Sequence, residues 1–247
     1  LMTLAPIPSA LDQILWAFGD DAVAEVTGRS IRPLKAEDGH LFIEKRSASS
    51  NSSETQAFMD GEKDILIFSD AGGTGRSYHA AQTAKNQKRR RHYLLEPGWR
   101  ADAAIQGLGR THRSAQVSAP FFRVCTSDVH GEKRFTSTIA KRLDQLGALT
   151  KGQRETGSQG MFREEDNLES PIARAALRGY FADLAAGRAE AMSYESFADW
   201  TALRLIDKDG VLLEELPPIQ RFLNRMLALP IHMQNALFAE FMRRIAD

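Results

Sequence analysis

Four apolar residues without polar alternation, Ile65-Leu-Ile-Phe68, run directly into the glycine-rich stretch Ser69-Asp-Ala-Gly-Gly-Thr-Gly-Arg-Ser77. A strand that is apolar on both faces has to be covered on both, which is the condition of a parallel sheet flanked by helices. Ala22-Val-Ala-Glu-Val-Thr27, ending in Gly28-Arg29, reads as a second strand, and His92-Tyr-Leu-Leu-Glu96 and Phe121-Phe-Arg-Val-Cys-Thr126 as two more. Helical patterns lie between them at Ala10 to Phe18, Glu54 to Met59 and Ala101 to Gly109, so strands and helices alternate as in an α/β fold. Residues 35 to 53 read as a polar, Ser-rich connection, most loop-like from Ser47 to Ser53.

Beyond residue 132 the strand signals vanish. Helical spacing recurs at Arg134 to Gln145, Pro171 to Ala186, Tyr194 to Leu205, Ile219 to Leu229 and Met233 to Ile245, with a polar link at Thr150 to Asn167. The expected organisation is therefore an α/β lobe over residues 1–131 and an all-α extension over 132–247. With 43% hydrophobic residues in 247, the chain has material for a real core, and the Leu, Phe and Met stripes of the extension belong to it.

Thirty-two basic residues balance 32 acidic ones, so total charge neither favours nor excludes a polyanionic partner. The single Cys125 excludes an internal disulfide, implies a reducing compartment, and leaves no Cys/His spacing for a structural zinc site. His79, His92, His112 and His130 show no metal-ligand spacing either, and no metal site is expected. No apolar run approaches the roughly 20 residues of a membrane span, so no membrane is expected as a partner. The chain begins with Leu, which permits a longer parent.

The glycine loop imitates two phosphate-binding motifs and completes neither. Gly75-Arg76-Ser77 has Arg where a Walker A motif needs Lys, and the required earlier glycine falls on Asp70. A dinucleotide fingerprint fails because Tyr78 stands where its third glycine belongs. What survives is a strand followed by Gly72, Gly73 and Gly75, whose backbone can approach a ligand closely. A tight turn with no ligand explains those glycines equally well.

Some thirty residues later comes Gln106-Gly-Leu-Gly-Arg-Thr-His-Arg113. Two arginines three apart at a helix end can fork onto phosphate oxygens, because guanidinium is always charged and binds them bidentately. A solvated basic helix face would look the same.

Taken together, "VAEVTGR" (23–29), "ILIFSDAGGTGRSYHA" (65–80), "WRADAAIQGLGRTHRSAQVSAP" (99–120), "GEKRFTSTIAKRLDQLGALTKGQR" (131–154) and "FLNRMLALPIHMQNALF" (222–238) resemble the C-terminal helicase domain of the strawberry notch family. These blocks span nearly the whole chain. The resemblance implies the second RecA-like lobe of a superfamily 2 helicase, followed by the helical extension. It further implies that Arg113 is the arginine finger of motif VI, with Arg110 beside it and Gln106 orienting the segment. Ser69, Asp70, Gly72, Gly73, Gly75 and Arg76 become motif V, coupling nucleotide to nucleic acid; Arg76 replaces the small or apolar residue expected there. ATP with Mg2+ is the implied ligand, shared with a first lobe that carries the Walker A lysine and the acidic box, both absent from this sequence. The chain alone is expected not to hydrolyse ATP.

That the partner is DNA and the setting cytoplasmic is implied by the family resemblance alone. A nucleic-acid partner as such has a local signal in Lys88-Arg-Arg-Arg91, a run suited to tracking a phosphate backbone, and in Trp99, which could stack on a base. A solvated loop rim and a packed loop edge are the competing explanations. The alternative to a motor lobe is a helicase-like interaction module that has kept the fold without turnover.

Overall fold

Helix α1 (Ala10–Phe18) begins where the Ser9 hydroxyl accepts the Asp12 N–H and ends at Gly19, whose φ of +78° a residue with Cβ rarely adopts. The computed structural model describes residues 8–36, 38–47, 49–73, 75–96, 100–145 and 166–246. By contacts the chain forms two units, Leu1–Leu95 with Ile105–Phe122 and Glu96–Ala104 with Arg123–Asp247.

In the first unit, β1 (Val23–Val26) pairs in parallel with β4 (Ile65–Phe68), in register from Val23 opposite Ile65 to Val26 opposite Phe68. β1 is fully buried; β4 pairs on one side among the described residues, and all four of its residues are half-buried. Helix α2 (Ser50–Asp60) supplies Phe58 to a core with Ala24, Val26 and Tyr78. β5 (Arg91–Leu94) and β6 (Phe121–Val124) form another pair, with α4 (Ala101–Gly109) between them in sequence. Parallel strands with interleaved helices, followed by a helical C-terminal part, make this an α/β, RecA-like fold.

The Ser-rich connection expected over residues 35 to 53 is more ordered than its composition suggests. β2 (Ile31–Lys35) and β3 (Leu41–Lys45) form an antiparallel hairpin, from Ile31 opposite Lys45 to Lys35 opposite Leu41. Helix α2 starts at Ser50, before the expected Glu54, and its hydroxyls turn back onto the helix, Ser53 to the Ser50 carbonyl and Thr55 to the Asn51 carbonyl. The glycine loop opens with a single helical turn, α3 (Asp70–Gly73).

The second unit carries α5 (Lys133–Gln145), α6 (Pro171–Ala185), α7 (Tyr194–Thr201), α8 (Ile219–Met226) and α9 (Ile231–Ala246). Ser170 caps α6 ahead of Pro171, whose missing N–H costs nothing in a first turn. Phe222 lies fully buried among Tyr180, Phe181, Phe197 and Phe241, with ring centroids 5.3 to 6.4 Å away. α7 stops short of the expected Leu205 because Ala202 turns left-handed at φ +53°, after which Ile206 and Leu212 form an isolated bridge. Of the polar link, residues 150–165 lie outside the described residues. No helix among the described residues is long and apolar enough to cross a membrane.

Candidate functional site

The glycine loop and the Gln106–Arg113 segment meet in the first unit. Just past the loop, Tyr78 donates its backbone N–H to the Arg110 carbonyl at 2.7 Å, and the Arg110 guanidinium donates back to the Arg76 carbonyl at 3.2 Å. Arg110 is 9% exposed, so it braces the two segments while its neighbour faces solvent. That neighbour, Arg113, is exposed; Gln116 accepts its backbone N–H at 3.0 Å, and no described residue pairs with its guanidinium. Gln106 is exposed on α4, and Gly75, Gln106, Gly109, Arg110, His112 and Arg113 line an open cleft of about 500 Å³. Gly75 holds φ +76°, which lets the chain turn into the cleft where a Cβ would strain it.

The remaining loop residues divide. Ser69 commits its N–H to the Val26 carbonyl at 3.2 Å, extending the β1–β4 ladder. Asp70, Gly72 and Gly73 form the helical turn of α3, Asp70 exposed at its start. Arg76 points away from the cleft lining onto the first two turns of α2, donating to the Ser52 hydroxyl at 3.1 Å, the Thr55 hydroxyl at 3.3 Å and the Asn51 carbonyl at 3.4 Å.

The basic run is split by the pleat of β5. Lys88 is exposed and pairs with Asp64 at 2.7 Å, Arg89 is exposed with its Nε on the Ala119 carbonyl at 2.9 Å, and Arg91 is exposed at the start of the strand. Arg90 is only 6% exposed: it donates to the carbonyls of Tyr78, Asn86 and Lys88 and to the Asn86 side chain at 2.7 to 3.1 Å, and lies over the Phe58 ring at 4.9 Å. Arg90 is therefore a bracing side chain, its donors already satisfied, and does not belong to a solvent-facing strip. Trp99 lies outside the described residues.

Two groups escaped the sequence reading. The first is Glu25, fully buried in β1. Arg29 forks onto it at 2.7 and 2.9 Å, Thr27 donates its hydroxyl to it, and Arg46 and Arg32 stand 3.4 and 3.8 Å away. Burial alone would raise its pKa, yet the hydrogen bonds from Arg29 and Thr27 and the fields of Arg29 and Arg46 outweigh it and hold the carboxyl below its ordinary value. The turn after β1 also touches the glycine loop: a Cβ on Gly28 would lie 3.0 Å from that of Ala71. A lone Glu in an otherwise apolar strand, with Arg four residues on, was the available signal, since a buried charge has to be paired.

The second is His92 of β5, 8% exposed, with its Nδ1 2.8 Å from the Thr111 hydroxyl. Its ring packs against Phe68 and Phe122 at 5.5 and 5.6 Å, and burial lowers its pKa to about 4. Burial alternates from Arg90 through Tyr93, but the side chains turned inward are polar, so apolar patterning carried no signal for either.

Residues 9–247 match the family model described as the C-terminal domain on strawberry notch homologues. The chain is 40% identical to the strawberry notch protein of Drosophila melanogaster over 95% of its length, covering 16% of that protein. It is 39% identical to human strawberry notch homolog 1 over 95% of its length, covering 18% of that protein. With FORGETTER 1 of Arabidopsis thaliana it shares 36% identity over 96% of its length and 21% of that protein. The chain thus spans about a fifth or less of these relatives, and no solved structure matches it. An α/β unit whose glycine loop and Gln106–Arg113 segment close on one cleft, followed by a helical unit and matched along nearly its whole length, belongs to the strawberry notch family as its C-terminal, helicase-related domain.

Proposed function

We propose that this chain is the second RecA-like lobe of an ATP-dependent superfamily 2 helicase or translocase, contributing half of a nucleotide site. The observation that carries the proposal is the cleft itself, where the Arg113 guanidinium, without a partner among the described residues, stands beside Gln106 and the Gly75 turn. That donor set suits a polyphosphate: a permanently charged fork, an amide and exposed backbone. In this reading Arg113 acts as the arginine finger, stabilising charge on the transferring phosphoryl group. Arg110 and Gln106 hold its segment in place. The acidic ligands of Mg2+ and the Walker A lysine, whose motifs the sequence does not carry, belong in this reading to a first lobe. The single thiol fits the cytoplasmic setting proposed for it.

Nucleic acid, with DNA the preferred substrate, is assigned to the exposed Lys88, Arg89 and Arg91. Their contacts would be with phosphate, giving salt-dependent binding without sequence choice.

ATP turnover with and without DNA tests the reading, using this chain alone, the chain joined to the parent's first lobe, and an Arg113→Ala version of each. We expect no turnover from the chain alone and DNA-stimulated turnover from the joined protein, lost on Arg113→Ala. Turnover by the chain alone that survives the substitution overturns the half-site.

A second reading, a helicase-like interaction module without turnover, draws on the β2–β3 hairpin. Ile31, Leu41 and Ile43 are 48 to 64% exposed there, and such an apolar face suits protein contact. A joined protein that binds ATP and never turns it over would favour this module.

A further inference from the structure

His92 touches no element of the proposed chemistry and yet sits where its two halves converge. Thr111 lies between Arg110 and Arg113, is 7% exposed, and directs its hydroxyl at the Leu108 carbonyl at 3.2 Å. A hydroxyl has one proton. With that proton directed at Leu108, the Thr111 oxygen is left as an acceptor, and the neutral imidazole protonated on Nδ1 is the tautomer that matches it. Burial keeps that imidazole neutral across the physiological range.

The same ring bridges the two loops sideways. Phe68, the residue from which β4 enters the glycine loop, meets His92 edge-on at 5.5 Å and Tyr78 at 5.0 Å. Phe122 meets His92 at 5.6 Å and His112 at 6.4 Å. Tyr78 in turn holds the Arg110 carbonyl through its backbone N–H. A side chain that only filled space would need the ring and not the polar contact.

We propose that His92 is a positioning residue, whose Nδ1–H donates to Thr111 and so fixes the turn that presents Arg113 in register with the glycine loop. The functional part of this inference rests on the nucleotide half-site reading. The structural part does not. Arg113 is exposed and its guanidinium has no described partner, so its aim depends on the backbone of residues 108–113, and His92–Thr111 is a second buried polar tie on that stretch, beside the bond from Tyr78 N–H to the Arg110 carbonyl. Losing the donor leaves Thr111 with an unmatched buried acceptor and frees the turn.

The test uses His92→Phe, which keeps a ring and loses the donor, Thr111→Val, which keeps the shape and loses the acceptor, and Thr111→Ser, which restores it. Hydrogen exchange of residues 108–114 is measured in this chain, and kcat and KM for ATP in the chain joined to its first lobe. We expect His92→Phe and Thr111→Val each to speed exchange at residues 108–114 by about fivefold or more. Each should lower kcat about tenfold with KM within about twofold. The double substitution should be no worse than either single one, and Thr111→Ser should return both readouts to within about threefold. Unchanged exchange at 108–114 in Thr111→Val overturns the positioning role whatever the turnover. Faster exchange in the variants of this chain, with no turnover from the unsubstituted joined protein, leaves the positioning role standing and sinks the nucleotide reading.

Discussion

The two units bury different kinds of matter. In the α/β unit the interior takes in Glu25, Arg32, Arg90, His92, Arg110 and Thr111. In the helical unit a continuous cluster of Leu, Phe, Ile, Met, Tyr and Ala side chains closes around Phe222. Charges are buried there too, with Glu240 accepting the N–H groups of Glu190 and Ala191, but the bulk of the packing is apolar. Apolar packing has no direction and accepts substitutes of similar volume, whereas a buried polar frame has to be matched atom by atom. The lesson is that the cleft stands in the unit where position is fixed by hydrogen-bond geometry.

The largest effect expected from breaking that frame's function is Arg113→Ala in the joined protein, a fall in kcat of about 10³ with nucleotide affinity much less changed. Steady-state kinetics would check it, and an unchanged kcat removes the finger. The comparison itself is sharpened by pairing truncations. Phe222→Ala and Glu25→Ala should each cost about 3–5 kcal/mol in urea unfolding, one through a cavity and the other through uncompensated buried arginines. Conservative changes should then separate the units: Phe222→Leu should cost about 1.5 kcal/mol or less, and Glu25→Gln about 2–4. Equal costs for those two would break the contrast.

Acid should also act unequally. The His92 pKa is about 4 in the fold against 6.5 when unperturbed, so the unfolded chain binds its proton first and stability falls as pH drops below 6.5. Going from pH 8 to pH 5 should remove about 2 kcal/mol from the α/β unit, with the slope flattened in His92→Phe. His79, lowered by burial and by Arg113 and Arg90, pulls the same way. The lowered groups of the helical unit are the carboxyls of Glu169 and Asp183, whose stabilisation is lost only in more acidic solution. Smallest of all, replacing Lys88, Arg89 and Arg91 with Ala should reduce the salt slope of DNA binding by about 2–3 while leaving the fold intact. Arg90→Ala should instead destabilise the unit.

What could be read from the residues follows the same division. Ile65 to Phe68 declares a strand because every residue is apolar, and the helices of the second unit declare themselves through apolar periodicity. The hairpin at 31–45 does not, because its inward positions include Arg32, paired with Glu44, and its outward ones include Ile31, Leu41 and Ile43. Arg90 hid inside a run of four basic residues whose solvation looked uniform. Hydrophobic patterning reports burial only where burial is apolar; Arg90 and His92 are buried by partners lying far away in sequence, and Glu25, though its main partner Arg29 is near, is a charge that apolar patterning does not count.

Arg76 carries a mechanical consequence. Its guanidinium is strapped by three bonds to the first two turns of α2, while its carbonyl is grasped by Arg110. A displacement of the glycine loop therefore either tears the strap or hauls the helix along. The loop is thus geared to α2 as a crank is to its rod, through the contacts of Arg76 with Asn51, Ser52 and Thr55.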